Sequence, residues 1–436
     1  MVRNRWLIPA FFVTVLASGL VAFILVSVFS RQQEGRVSYF KVVDIPAGEP
    51  NPEVWGQNFP QQYESWHNTA KSTPYEEYSK YGRYGGSESY SKLEKDPALT
   101  RLFAGNAFSV EYREERGHAN ALADMLASKR LGDNKPGSCM TCKSPQVPIL
   151  MQQLGVQGFY DTPVKTQVEQ YGVQYPVSCA DCHNAETMEL VITRPAFKEA
   201  MASRGIDVSK ATRQEMRTYV CAQCHVEYYF APPSKTYVTF PWKNGLSVDN
   251  IDKYYSDIGF SDWTHGETKA PMIKMQHPDF ELFSSGVHAR AGVACADCHM
   301  PYTRVGAVKV SSHWVDTPLA HVETSCLTCH RESEEAMRQR VLTIQDTTYT
   351  QMQRAETALL AAMDEIKAAM AAGVSDSSLA EARDLHRRAQ LRWDFISAEN
   401  SMGFHSPQEA ARVLGDSTDL ARQAQLSAQR ARLEKK

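Results

Sequence analysis

Residues 179–183 read CADCH, and the pattern returns as CAQCH at 221–225, CADCH at 295–299 and CLTCH at 326–330. A fifth stretch, CMTCK at 139–143, ends in lysine instead of histidine. Together they use all ten cysteines of the 436-residue chain, as Cys139/Cys142, Cys179/Cys182, Cys221/Cys224, Cys295/Cys298 and Cys326/Cys329. Cys-x-x-Cys followed at once by histidine is the attachment signature of c-type haem. The spacing suits the chemistry. Two thiols reach the two vinyl groups of one porphyrin, and the adjacent imidazole of His183, His225, His299 or His330 turns under the ring to bind iron. Zinc sites also use Cys-x-x-Cys, and an exported chain can close disulfides. Neither explains a histidine at the same following position in four sites, so covalent haem is the expectation.

Lys143 closes the fifth site. A degenerate, haem-free Cys-x-x-Cys is the plain alternative there. However, a neutral amine can ligate iron, and lysine gives up its proton readily when buried or bound to a metal. Axial ligands set the electronics of haem iron, so the odd site is the first candidate for chemistry. Thirteen histidines stand in the chain. Four haems with two imidazoles each would use eight and leave five, so a wire of six-coordinate haems is feasible. Spacing alone does not say which distal ring meets which haem.

CMTCK followed by four C-x-x-C-H sites resembles the pentahaem cytochrome c nitrite reductases that form ammonia. Other matching pieces are FPQQYESW at 59–66, ERGH at 115–118, HVEYYF at 225–230, KMQHPDFE at 274–281, GVH at 286–288 and GFHSPQE at 403–409. The resemblance runs over roughly residues 55 to 430. It implies five covalently bound haem c groups and a six-electron reduction of nitrite to ammonium at the Lys143 haem. It also implies His118 as distal ligand for the Cys221/Cys224 haem, His313 for Cys179/Cys182, His288 for Cys326/Cys329 and His405 for Cys295/Cys298. Arg130, Tyr228 and His277 would face the open side of the catalytic haem. Arginine is a permanent cation with directed donors for an oxyanion, and histidine and tyrosine can hold or relay protons. Only twelve residues separate Arg130 from Lys143, a short segment for the family. The resemblance further implies one Ca²⁺ beside that haem, held by the side chains of Glu227 and Gln276 and the carbonyls of Tyr228 and Lys274, a hard-oxygen set. His67, His265, His321 and His386 are left for ordinary structural roles.

Arg3 and Arg5 precede an uncharged, apolar run over residues 7–29. As a helix that run would reach about 35 Å, enough for a bilayer core of ~30 Å. It reads as a signal anchor or a cleaved signal peptide, with the basic end cytoplasmic and the body exported. Export to the periplasmic side agrees with c-type haem. Lysine and arginine total 47 against 50 acidic residues, a formal net charge of −3, with no basic run to suggest nucleic acid. Haem propionates would make the holoprotein more acidic, so attraction of an anion must be local.

The expected fold is mainly α, a multihaem cytochrome c body with little β structure and long C-terminal helices. Residues 31–60 read as a tether, 61–332 as the pentahaem catalytic body, and 333–436 as a long-helix region. Leu342, Met352, Leu359, Met363, Ile366 and Met370 mark a helix over 333–371 with Gly373 as its stop. Ser378 with Glu381, and Ser406 with Glu409 behind Pro407, read as capping boxes. In the resembling family these helices form a homodimer interface, and the electron donor is a membrane quinol-oxidising multihaem cytochrome c. An electron-carrier function, or activity on hydroxylamine or sulfite, are the competing readings.

Overall fold

The computed structural model describes residues 7–34, 41–74, 78, 87–132, 135–234, 236–306 and 308–435. Arg3, Arg5 and residues 35–40 of the expected tether lie outside them. The N-terminal helix Leu7–Glu34 contains a 22-residue segment of mean hydropathy 2.6, long and apolar enough to cross a membrane. Phe11, Leu16 and Phe23 on it are exposed. A helix apolar all round with no protein against it is suited to lipid.

Structure begins earlier than the tether reading placed it. Helix Pro52–Asn58 starts with proline at its first turn behind Asn51, whose side chain accepts from the Glu53 amide at 3.0 Å. Trp55 is buried in it. Asn58 Oδ1 accepts from the amides of Val42 (2.7 Å) and Val43 (3.0 Å), tying the preceding segment down. A single buried tryptophan outweighs the entropy of a few linker residues. The chain is therefore docked from residue 41.

The body is made of short helices, as expected, and among the described residues its β structure is three two-stranded antiparallel hairpins and two isolated bridges, Ser91 with Arg113 and His183 with Leu190. The hairpins are Tyr229–Ala231 with Tyr237–Thr239, Trp263–Thr264 with Pro271–Met272, and Tyr302–Val305 with Val308–Ser311. One apolar cluster, including Phe159, Phe197, Trp242 and Phe280, lies inside the body. A second, including Phe103, Trp263, Met275, Leu359, Trp393 and Phe395, joins it to the C-terminal helices.

Those helices are Glu334–Ala371, Ala380–Ser397 and Pro407–Glu434, packed on one another. Ser333 caps the first by accepting from the Ala336 amide. Leu342, Met352, Leu359, Met363 and Ile366 are buried along it, and Met370 is packed at its end. Gly373 stops it with φ of 74°. There the Gly373 amide donates to Met370 O and the Val374 amide to Ala369 O, the paired closure that a left-handed residue permits.

The two capping boxes do not form. Ser378 joins a hydroxyl cluster with Ser375, and Glu381 instead accepts from Ser427 of the third helix at 2.6 Å. Ser406 precedes Pro407 as expected, but its side chain makes no cap bond, and Glu409 pairs with Arg412. A cap contributes about 1 kcal/mol. Burying one leucine contributes roughly 1.5–3 kcal/mol, so interhelical packing decides where these helices begin.

Ala380–Ser397 departs furthest from an amphipathic surface helix. Arg383, His386, Arg387, Gln390, Arg392 and Asp394 are all buried. They bind the body: Arg383 donates to Thr268 O, Arg387 to Pro271 O, Gln390 to Leu102 O, and Arg392 to Asp252. The C-terminal helices are thus continuous with the body.

Candidate functional site

The attachment stretches are single turns, helical at Cys179–Cys182 and Cys295–His299, with Lys143 closing on Met140 O at the fifth. Cys179–Cys182 and Cys295–His299 are short helices in which Asp181 and Asp297 reach back to the amides of Ser178 and Ala294, each at 2.8 Å. Cys221 ends helix Arg213–Ala222, which Thr212 and Glu215 cap reciprocally. The His183, His225 and His330 amides donate to the carbonyl of the first cysteine of their own stretch. An i, i+4 closure brings both thiols and the next side chain to one side. All ten thiols are free.

The five stretches surround one cavity of about 3330 Å³. It exceeds the 300–1,000 Å³ of ordinary small-molecule pockets several-fold, as several porphyrins require. All ten cysteines line it, with Lys143, Arg130, Tyr228, His277, Gln276 and the eight histidines expected as haem ligands. His67, His265, His321 and His386 do not line it. His386 of helix Ala380–Ser397 stacks edge-to-face on His265 of the body at 5.3 Å, and His67 and His321 lie against Tyr63 and Trp314.

Within the cavity the histidines stand in facing pairs. Ring centroids are 6.3 Å apart for His118 and His225, 6.2 Å for His183 and His313, 6.2 Å for His288 and His330, and 6.4 Å for His299 and His405. Two metal–imidazole bonds of about 2 Å plus the inner halves of two rings fill such a gap, so the donor set fits haem iron. Burial pushes the imidazoles of His118, His299 and His313 down to about 4, leaving a lone pair free for metal. His405 behaves otherwise. Burial opposes its charge, but Glu399 overrides this and raises it to about 9.

Neighbouring attachment sites also interact. The Cys142 and Cys224 thiols perturb each other's protonation, as do those of Cys221 and Cys295. Cys298 is within electrostatic reach of Cys326, and Cys182 of Cys224.

At the fifth site Lys143 Nζ donates to Glu115 Oε2 at 2.9 Å. Burial disfavours the ammonium, yet the Glu115 carboxylate holds its pKa above the ordinary value. Glu115 is in turn held well below the usual carboxylate range by Lys143, with His277 and Arg130 adding to the effect. These groups therefore share one electrostatic neighbourhood. Burial pushes His277 down to about 4 and raises the Tyr228 hydroxyl. The Arg130 guanidinium lies over the Phe108 ring at 4.5 Å. The short segment before Lys143 still leaves Arg130 on the cavity wall. Glu115 was the residue missed; it begins ERGH, a motif read only for its histidine.

The expected calcium ligands gather in part. Glu227 is fully buried; Oε1 accepts from the Tyr255 hydroxyl at 2.8 Å and Oε2 from the Gln276 amide at 2.6 Å. The Gln276 side chain donates to Lys274 O at 3.2 Å. Lys274's own ammonium turns away, to Asp394 at 2.9 Å. Glu281 accepts from the Glu227 amide through Oε1, while its buried Oε2 has no partner among the described residues. Burial raises Glu227 well above the carboxylate range and Glu281 to about 8. Buried carboxyls in excess of local cations, beside carbonyl and amide oxygens, fit a hard dication.

The cytochrome c552 family matches residues 51–435. Cytochrome c-552 of Bacteroides fragilis is 45% identical over 419 residues, covering 93% of this chain and 83% of the relative. That of Porphyromonas gingivalis is 40% identical over 433 residues, covering 97% and 84%. Among solved structures, the catalytic subunit (NrfA) of cytochrome c nitrite reductase from Desulfovibrio desulfuricans, a protein with two calcium sites, superposes with a TM-score of 0.83. It is 34% identical, over 90% of this chain and 88% of that one. Motif order, helical architecture and these likenesses together make the chain a member of the cytochrome c552 family of haem oxidoreductases, alongside the Desulfovibrio nitrite reductase.

Proposed function

We propose that this chain reduces nitrite to ammonium, using six electrons, at a haem on Cys139 and Cys142 with Lys143 as proximal ligand. The observation that carries the reading is the contrast among the five attachment sites. Four pair their histidine with a second ring at 6.2–6.4 Å, and the fifth substitutes a lysine in the neighbourhood of Arg130 and His277. When bound, the haems supply electrons and an open metal position for nitrite. Arg130 directs the anion with a permanent cation, and Phe108 steadies its guanidinium. His277, neutral through burial, and Tyr228, kept protonated by burial, are the nearby groups that exchange protons. Glu115 holds the Lys143 side chain in line.

His225, His183, His330 and His299, with His118, His313, His288 and His405 respectively, are proposed as the axial pairs of the other four haems. The thiol approaches support the order Cys326/Cys329, Cys295/Cys298, Cys221/Cys224, Cys139/Cys142, with Cys179/Cys182 as a branch. The apolar N-terminal helix supports placement on the periplasmic side, anchored or exported, with a membrane quinol-oxidising multihaem cytochrome c as donor. The C-terminal helices are proposed to pair two copies.

The deciding experiment is the spin-state spectrum of the holoprotein with and without nitrite, alongside nitrite-dependent oxidation of a reduced dye. A nitrite-sensitive high-spin haem with turnover supports the reading. Only six-coordinate haems and no turnover would leave an electron carrier. Parallel assays with hydroxylamine and sulfite separate the other enzymatic readings.

Two further results are expected. His405→Ala should retain five covalent haems and add a second high-spin or water-ligated iron; a spectrum with no such addition would refute the assignment of His405. Glu227→Gln, or chelation, should lower nitrite turnover about tenfold or more through the loss of fixed charge near the reacting anion, with haem content intact. Full activity in protein shown to be calcium-free would reduce Glu227 to scaffold.

A further inference from the structure

The haem-facing imidazoles differ in what holds their second nitrogen. His183, His299 and His313 present Nδ1 to backbone carbonyls, of Met188 at 2.9 Å, Asp316 at 3.1 Å and Ser311 at 2.9 Å. His225 presents its Nδ1 to a carboxylate, Asp279 Oδ2 at 3.2 Å, and His405 Nδ1 stands in ion-pair contact with Glu399 Oε1 at 2.5 Å, outside hydrogen-bond geometry.

Both carboxylates are buried and rigidly held. Asp279 accepts from the Asn400 amide at 2.7 Å and from Asn400 Nδ2 at 2.9 Å. Glu399 accepts from the Ser401 amide at 3.0 Å, the Ser401 hydroxyl at 2.9 Å and the Gly403 amide at 3.3 Å. One loop, residues 399–405, thus secures both anions and carries His405 itself, whose amide donates to the Ser401 hydroxyl. Asp279, Glu399 and His405 place one ligand atom each within 4.8 Å of one another. The knot joins the ring over one attachment site to the ring under the next, and the Cys221 and Cys295 thiols of these two sites lie within electrostatic reach of each other.

An anionic acceptor is stronger than a carbonyl. It draws the Nδ1 proton, makes Nε2 a better donor, and favours the more highly charged iron. Burial keeps solvent from screening that charge. We propose that Asp279 and Glu399 are positioning residues for electron transfer. They lock His225 and His405 and hold the two middle haems at lower potential than the branch haem on Cys179/Cys182, whose rings His183 and His313 both lean on carbonyls. This rests on the axial pairing proposed above. A middle link that holds its electron weakly hands it on towards Lys143.

The test is spectropotentiometry with low-spin EPR on holoprotein carrying Glu399→Gln or Asp279→Asn. Each variant should make one haem about tenfold more reduced at a fixed poise, 59 mV for a one-electron couple. The EPR signal of that haem should move, with haem content and the branch haem unchanged. Glu399→Asp, which keeps the charge, should stay near the wild-type potential. If one variant does not fold, the other reports on its own haem. Potentials unmoved in the variants that fold, while His405→Ala opens a new high-spin iron, overturn the proposal and leave the axial pairing intact. A silent His405→Ala spectrum overturns the pairing itself.

Discussion

Lys143→Ala is expected to lose nitrite reduction by about 100-fold or more, the scale of removing one group on which a catalytic site is built. Iron coordination supplies the free energy that deprotonates a lysine otherwise paired with Glu115. Alanine offers no lone pair, so the fifth haem would lose its proximal ligand while the four imidazole pairs keep theirs. The variant should therefore retain normal low-spin spectra for four haems and change only the high-spin signal. Lys143→His should keep a haem at Cys139 and Cys142, because imidazole is the regular ligand, with altered potential and slower turnover. Haem stoichiometry, the high-spin signal and dye oxidation check both. Wild-type turnover in Lys143→Ala, with the high-spin signal unchanged, would move the chemistry to another haem.

Asp394→Asn is expected to destabilise the fold by about 3–5 kcal/mol, the cost of leaving one member of a buried ion pair alone. Lys274 is 2% exposed and Asp394 fully buried. The carboxylate accepts twice from Lys274 Nζ, at 2.9 and 3.0 Å, and once from the Met275 amide at 2.8 Å. The ammonium also sits about equally near the rings of Phe103, Phe108 and Tyr112, at 5.0, 4.9 and 5.3 Å. Burial alone would depress its pKa; Asp394 holds it above the ordinary value. Asparagine keeps the shape and removes the charge, so the Lys274 ammonium is left with neutral oxygens and ring faces and no counter-charge. Apparent Tm should fall by at least a few degrees. The double variant Lys274→Met with Asp394→Asn should recover most of it, since an apolar replacement removes both desolvation costs. A Tm within error of wild type for Asp394→Asn would show the pair to be dispensable. Because Lys274 stands three residues before His277, turnover should fall with stability.

Several features could be read directly in the chain because each is local. A five-residue C-x-x-C-H stretch is a local unit, so the turns that bring the thiols and the next side chain together at Cys179, Cys221, Cys295 and Cys326 need no partner from elsewhere. The membrane-length helix follows from an uninterrupted apolar run, and Gly373 as a helix stop follows from a backbone angle that glycine adopts without strain.

The capping boxes at Ser378 and Ser406 were equally local in appearance and did not form. Their partners Ser427 and Arg412 competed successfully, and a cap is too weak to resist packing. Burial of Arg383, Gln390 and Arg392 was likewise invisible, since a charged helix reads as a solvated one until the body is folded around it. The facing of His118 with His225 or His183 with His313 follows no periodicity; only the family likeness suggested it, and only the folded chain brings those rings to 6.2–6.3 Å. Glu115 beside Lys143, Asp394 beneath Lys274, and the two carboxylates behind His225 and His405 were decided by tertiary structure alone. Each is a charge whose role depends on a partner distant in the chain, and for Asp394, Asp279 and Glu399 also on burial, and no short run of residues encodes either condition.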